Sequence, residues 1–284
     1  MRVTILGSSG QIGAYLTEYL RKKGHEVTEF DKNHDEKEDM TVIPNIKLHG
    51  AIHQSDFIFF LAFDVGGSHY LKKYQHTFNF INNNTRVMAN AFTLIEKYNK
   101  PFVFASSQMS NMSYSPYGVM KRVGELYTKS LGGLIVKFWN VYGIERDMEK
   151  AHVITDFIRK GFETGTIDMM TDGTEEREFL YAEDCCEALE TLMEQYSDFT
   201  SDDELHITSG VSTSILEIAQ QIQLYFGGIS KEVEIVPSSS KDEVQKDARN
   251  VPSKYIHKWW KSKTSITLGI GKVFEEMRKD YENI

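Results

Sequence analysis

The chain has 284 residues, with 32 basic against 41 acidic side chains and a formal net charge of −9. At 40% hydrophobic and 26% charged it has an ordinary globular composition, enough for one large or two modest domains. The acidic balance argues against a nucleic-acid partner, and no apolar run approaches the ~20 residues of a membrane span. Cys185 and Cys186 are adjacent and provide neither a disulfide framework nor zinc spacing, so no metal is expected. A glycine cluster starts at Gly7, so no signal peptide is expected, and a reducing cytoplasm is the expected location.

Residues 3–6 (Val-Thr-Ile-Leu) are a short apolar run ahead of Gly7-Ser8-Ser9-Gly10, and a helical period follows through Ile12, Leu16 and Leu20. Gly24 ends that helix, and residues 25–30 read as a second strand finishing at Asp31. Apolar runs at 57–62, 102–105 and 134–139 suit strands covered on both faces, as in a parallel sheet. Between them, residues 77–98 and 116–131 have helix length and periodicity. This alternation predicts a doubly wound α/β fold. Beyond residue 143 the pattern loosens into α+β, with helices at 151–163, 182–196, 214–226 and near 270–281, and strands near 167–170 and 233–236.

Gly7-Ser8-Ser9-Gly10-Gln11-Ile12-Gly13 is a G-x-x-G-x-x-G loop between a strand and a helix. Glycine there makes the tight turn, admits a pyrophosphate to the backbone and packs the helix on the strand. The anion sits over the helix N-terminus. Asp31, at the end of the second strand, is placed to accept hydrogen bonds from both adenosine ribose hydroxyls and to repel a 2′-phosphate. The expected cofactor is therefore NAD, although Lys32 beside it partly offsets that repulsion. The expected fold is a Rossmann-type doubly wound parallel sheet with a smaller C-terminal α+β substrate lobe. Residues 1–143, with 175–210 returning, form the dinucleotide domain; 144–174 and 211–284 form the lobe.

The run at 102–105 ends in Ser106-Ser107, and Tyr117 and Lys121 follow at helical i, i+4 spacing. A tyrosine pKa of about 10 must fall roughly 3 units, about 4 kcal/mol, to serve as a base near neutrality. A cation about 4 Å away at an effective dielectric of 20 supplies about that much. Ser107 is placed to bind the same substrate oxygen.

With these residues the chain resembles the extended short-chain dehydrogenase/reductases of the NAD-dependent epimerase/dehydratase type, which act on sugar nucleotides. The resemblance continues in Leu61-Ala62, Asn84, Asn140-Val141-Tyr142-Gly143, residues 177–184 (Arg-Glu-Phe-Leu-Tyr-Ala-Glu-Asp) and Asp247-Ala248-Arg249. It implies that Leu61, Ala62, Asn84 and Ser106 line the cofactor with Gly7, Gly10, Gln11, Ile12, Gly13, Asp31, Tyr117 and Lys121. It implies that Ser107, Asn140, Arg177 and Arg249 hold a nucleotide-diphosphate sugar, the two arginines on its diphosphate. Residues 61–67 and 83–90 are similar to segments of GDP-mannose 3,5-epimerases and GDP-fucose synthases. By that similarity His152, heading an apolar helix, matches their second acid/base.

There are departures. Gln108-Met109 stands where those enzymes carry a cysteine and the 4,6-dehydratases carry Asp-Glu, which disfavours dehydration. The 107–117 stretch is also shorter than usual. Trp259-Trp260 and Cys185-Cys186 read as packing residues, and Asp35-Glu36-Lys37-Glu38-Asp39 as a solvated loop. Phe78, Phe80, Ile81, Val119, Met120, Val123 and Leu126 lie on the helices that pair subunits in the family, so a homodimer is expected by analogy. The expected activity is NAD-dependent epimerisation through a transient keto sugar, with catalytic Ser107, Tyr117, Lys121 and His152. The rivals are a keto-sugar reductase using NAD(P)H and a non-catalytic NAD(H)-binding protein.

Overall fold

Phe57-Ile58-Phe59-Phe60 is buried at every position, and its alternate side chains enter two different cores. A strand with no solvent face must lie inside a sheet covered on both sides. A computed structural model describes residues 1–245 and 259–282 and shows that sheet. It has six parallel strands in the order β2-β1-β3-β4-β5-β9: β1 (Arg2–Leu6), β2 (Glu26–Phe30), β3 (Phe57–Phe60), β4 (Phe102–Ser107), β5 (Leu134–Phe138) and β9 (Leu205–Ile207).

One face packs on α1 (Gln11–Lys22) and α7 (Ala182–Glu194) through Val3, Ile5, Leu16, Phe57, Phe59, Leu189 and Leu192. The other packs on α2 (Ile46–Gln54), α4 (Phe78–Tyr98) and α5 (Pro116–Ser130) through Leu48, Ile58, Phe60, Met88 and Phe92. The helix ends carry local signals. Thr77 and Ser115 cap α4 and α5, Pro116 opens α5, and Asn99 takes the left-handed conformation that stops α4. Cys185, Cys186 and Trp260 are buried in the first core, and the Trp259 ring packs edge-on against Phe199.

A second core gathers α6 (Val153–Glu163), α8 (Ile215–Gly228) and α9 (Ile266–Glu282). They surround two small sheets, β6 (Asn140–Tyr142) with β8 (Glu176–Tyr181) and β10 (Ser212–Ser214), and β7 (Thr166–Asp168) with β11 (Glu234–Val236). A capping box of Ser214 and Glu217 starts α8. The short helix α3 (Ser68–Tyr74) packs through Leu71 in a smaller cluster with Phe80, Met109, Met112 and Tyr117. α2, α3, β6, β8, β9 and β10 have no counterpart among the elements expected from the sequence. β6, β9 and β10 are three residues each, too short to show periodicity, and exist through pairing with distant strands. No helix among the described residues is long and apolar enough to cross a membrane.

Candidate active site

The chain crosses from β1 to β2 on one side and reaches β3 on the other, so a crevice opens beyond the carboxyl end of β1. Gly7 sits there at φ +90°, and a Cβ on it would lie 2.6 Å from the Ala62 nitrogen. Only glycine accepts both that conformation and that approach. A Cβ on Gly13 would lie 2.2 Å from the Gly7 oxygen, which is how closely α1 sits on the turn.

Gly10 is exposed and heads α1, which no side chain caps and whose first turn carries no acid. An uncapped helix start beside a glycine turn is an anion cradle. The Asp31 carboxylate accepts from the Ser9 amide at 3.1 Å and the Asn33 amide at 3.0 Å, tying the end of β2 to the turn. Leu61 follows β3 with its amide on the Leu6 carbonyl at 2.9 Å. Gly7, Gly10, Gly13, Asp31, Leu61 and Ala62 thus gather at one crevice, and this arrangement fits a dinucleotide.

Three expected cofactor contacts are engaged elsewhere. The Gln11 amide, oriented to suit its neighbours, donates to Val141 O and accepts from Gly143 N, both at 3.2 Å. It clamps the turn after β6. Asn84 is fully buried: its Oδ1 accepts from the Asp64 amide at 2.7 Å, and its Nδ2 donates to the carbonyls of Asp64 and Phe80. It shapes the loop after β3. Ser106 Oγ donates to Glu125 at 2.6 Å inside the protein. Adjacent strand residues point to opposite faces, so only one of the two serines can face the crevice. Ile12 is half-buried against the first core.

Ser107 is the serine on the open side. Its Oγ accepts from the Met109 amide at 3.1 Å and hydrogen-bonds to Tyr117. A Cβ on Gly118 would lie 2.1 Å from Met109 O, so α5 is pressed on the turn at Gln108–Asn111, bringing Tyr117 to Ser107. Lys121 departs from the expected arrangement. Its Nζ donates to Ala105 O at 2.6 Å and sits 3.8 Å above the Phe63 ring, against 5.8 Å from the Tyr117 ring centroid. Phe63 packs edge-on against Tyr117, at 5.7 Å between centroids. Burial pushes Tyr117 up to about 12, opposed only by the Ser107 hydrogen bond. Burial pulls Lys121 down to about 7, opposed by the Glu125 charge. The expected depression of the tyrosine is absent because desolvation outweighs the pull of a cation held 5.8 Å from its ring centroid.

A cavity of about 360 Å³ adjoins this corner, lined in part by Ser107, Tyr117, Asn140, His152 and Arg177. Asn140 Nδ2 donates to Glu178 O at 3.3 Å. The Arg177 guanidinium pairs with Asp242, whose segment (residues 240–245) also lines the cavity. Arg249 lies outside the described residues. Asp242, Val244 and Phe63 carry no motif, and only Phe63, next to Leu61-Ala62, had a neighbouring signal.

His152 is the N-cap of α6, and one carboxylate, Glu145, accepts from its backbone amide at 2.6 Å and meets its Nδ1 at 2.7 Å. Burial lowers the imidazole pKa, but the Glu145 charge and hydrogen bond outweigh it and leave a net rise. Glu145 escaped the sequence reading, since it lies seven positions before His152 in a loop without periodicity.

The family model described as "NAD dependent epimerase/dehydratase family" matches residues 3–207. The chain belongs to this family. NAD is the family's cofactor, and the glycine crevice with Asp31 fits it. A GDP-L-fucose synthase from Sinorhizobium fredii is 30% identical over 172 residues, 56% of this chain and 53% of that protein. The chain thus matches about half the length of that relative. A UDP-N-acetyl-alpha-D-glucosaminuronate decarboxylase from Bacillus cytotoxicus is 28% identical over 272 residues, 82% of this chain and 83% of that protein. Among solved structures, UDP-glucose 4-epimerase from Thermotoga maritima superposes with a TM-score of 0.80 at 19% identity, covering 99% of each chain. That likeness establishes the shared family fold.

Proposed function

We propose that this member of the family is a sugar-nucleotide epimerase working through a transient keto sugar. The observation that carries the reading is the convergence of Ser107, Tyr117, Asn140, His152 and Arg177 on one cavity beside the glycine crevice. Residues 1–143 with 175–210 hold the dinucleotide in this reading, and 144–174 with 211–284 hold the sugar nucleotide. The protein works as a cytoplasmic homodimer.

When bound, NAD supplies the hydride acceptor and donor at the oxidised carbon, and its oxidised ring adds positive potential. Tyr117 withdraws the hydroxyl proton as that carbon becomes a ketone, and Ser107 hydrogen-bonds the same oxygen. Lys121, with the phenol one helical turn away, favours the phenolate whenever it is charged. Tyr117 is committed to the carbonyl oxygen, so a proton on the neighbouring carbon needs a second acid/base. His152 takes that proton, and the centre inverts when a proton from solvent returns to the opposite face of the planar intermediate. Arg177 exchanges Asp242 for a diphosphate oxygen, a trade of one anion for another.

The test is turnover of GDP- and UDP-sugars in deuterated water, with products read by NMR. Epimerised product carrying carbon-bound deuterium, without net NAD consumption, is expected. Tyr117→Phe should lower turnover by about a hundredfold or more while NAD still binds. Stoichiometric NADPH oxidation would make the protein a reductase, carbon dioxide release a decarboxylase, and a near wild-type Tyr117→Phe rate would remove the mechanism.

A further inference from the structure

Glu145 is 8% exposed, and both of its oxygens are spent on one residue. Oε2 accepts the His152 backbone N–H and Oε1 meets the imidazole at Nδ1. The clamp is itself anchored. The amide of Ile144 donates to the Tyr15 hydroxyl at 3.0 Å, and Thr155 Oγ1 donates to Gly143 O at 3.0 Å. A carboxylate only accepts hydrogen bonds, so Nδ1 carries the hydrogen. The neutral ring then has its lone pair on Nε2, the nitrogen left free of Glu145 in a residue that lines the cavity.

We infer that Glu145 is the positioning residue of the site: it holds His152 in the tautomer that presents a basic Nε2 to the sugar. The inference rests on the proposed acid/base role of His152 and adds what makes that residue a base.

The surroundings leave Glu145 as the group that sets the imidazole. On α6 itself, Asp156 is occupied by Arg159 at 2.6 Å and Lys160 at 3.0 Å. Lys150, two residues before His152, is paired with Asp64 at 3.3 Å. His69 and Lys72 of α3, Tyr117 of α5, and Arg177 and Glu175 at β8 line the same cavity, and Arg177 is paired with Asp242. The N-terminus of α6 disfavours an imidazolium on its cap residue, and the same dipole favours the carboxylate beside it. Net, the imidazole keeps its proton to a higher pH than an ordinary histidine. The neutral ring is consequently the stronger base once formed. A mobile ring with the hydrogen on Nε2 would offer the sugar only a donor.

The closing experiment uses the full chain labelled with ¹⁵N-histidine, with His152→Ala identifying the His152 signals. Wild type should show the Nδ1–H tautomer in the neutral ring. Glu145→Gln should lower the titration midpoint of His152 by about one unit or more. It should also slow deuterium entry at carbon by about tenfold or more. An Nε2–H tautomer in wild type overturns the inference even if every Glu145 variant fails to fold. Exchange lost in His152→Ala but intact in Glu145→Gln, with an unmoved midpoint, overturns it while the epimerase reading stands. Exchange that survives His152→Ala sinks the acid/base reading itself, and the inference with it.

Discussion

Lys121 brings a charge into the core, 3% exposed, at a cost that depends on pH. Its folded pKa is pulled down to about 7 from an ordinary value of 10.5. Between those values the unfolded chain binds a proton that the folded chain lacks, so this group makes stability rise with pH across that window. Below about pH 7 both states are protonated and the full penalty for burying the ammonium remains. Lys121→Met should therefore be more stable than wild type near pH 7, with the gain shrinking toward pH 10, by urea denaturation at several pH values. Parallel stability curves for the two proteins would show that the lysine keeps its ordinary affinity for protons. In the proposed mechanism Lys121 serves the phenol of Tyr117, so the variant should lose turnover.

At the scale of the element, α5 repeats a buried polar side chain every four residues on one face: Tyr117, Lys121 and Glu125. Glu125 is 1% exposed and accepts from Ser106 at 2.6 Å and from Arg122 at 2.7 Å, with Lys137 of β5 at 3.8 Å. Lys137 is 2% exposed and continues to Glu204 at 3.2 Å. Helix α5 is thus joined to β5 by buried charge and to β4 by the Ser106 hydrogen bond. Glu125→Ala leaves the buried Ser106 hydroxyl without its acceptor while Lys137 keeps Glu204, and should cost about 1–3 kcal/mol, the penalty for an unsatisfied buried polar group. An unchanged urea midpoint would mean that Glu125 adds nothing to the docking of α5. The Tyr117/Lys121 spacing was legible because helical periodicity is local. The assignment of Ser106 to Glu125 was not, because strand alternation says that two adjacent serines diverge without saying which one faces the crevice.

For the whole molecule, the outer faces of α4 and α5 matter most. Phe78 is 77% exposed and Leu126 56%, with Ile81, Val119 and Tyr127 also exposed on the same helix pair. Phe80 is buried, and Met120 and Val123 turn partly into the core, so the expected dimer residues divide between two tasks. In the proposed homodimer this apolar face is the subunit contact. Light scattering should give a dimer for wild type and a monomer for the Val119→Asp, Leu126→Asp double variant. A monomeric wild type at micromolar concentration would refute the dimer.

The sequence by itself determined the family and the alternation of strand and helix in the first half, and it singled out the glycine turn, Asp31, Ser107, Tyr117 and His152 as candidates. Each rests on neighbours in the chain: a period, a turn residue, a spacing within one helix. Tertiary structure alone decided what required residues far apart to meet. It placed Asp242 against Arg177, packed Phe63 against both the lysine and the phenol, and pushed the Tyr117 pKa up where local charge counting expected it to fall. It also tied the side chains of Gln11, Asn84 and Ser106 into the loops and helix around the crevice. The physical reason is common to all of these. Desolvation and side-chain direction depend on what packs from the other elements, and no window of sequence contains those partners.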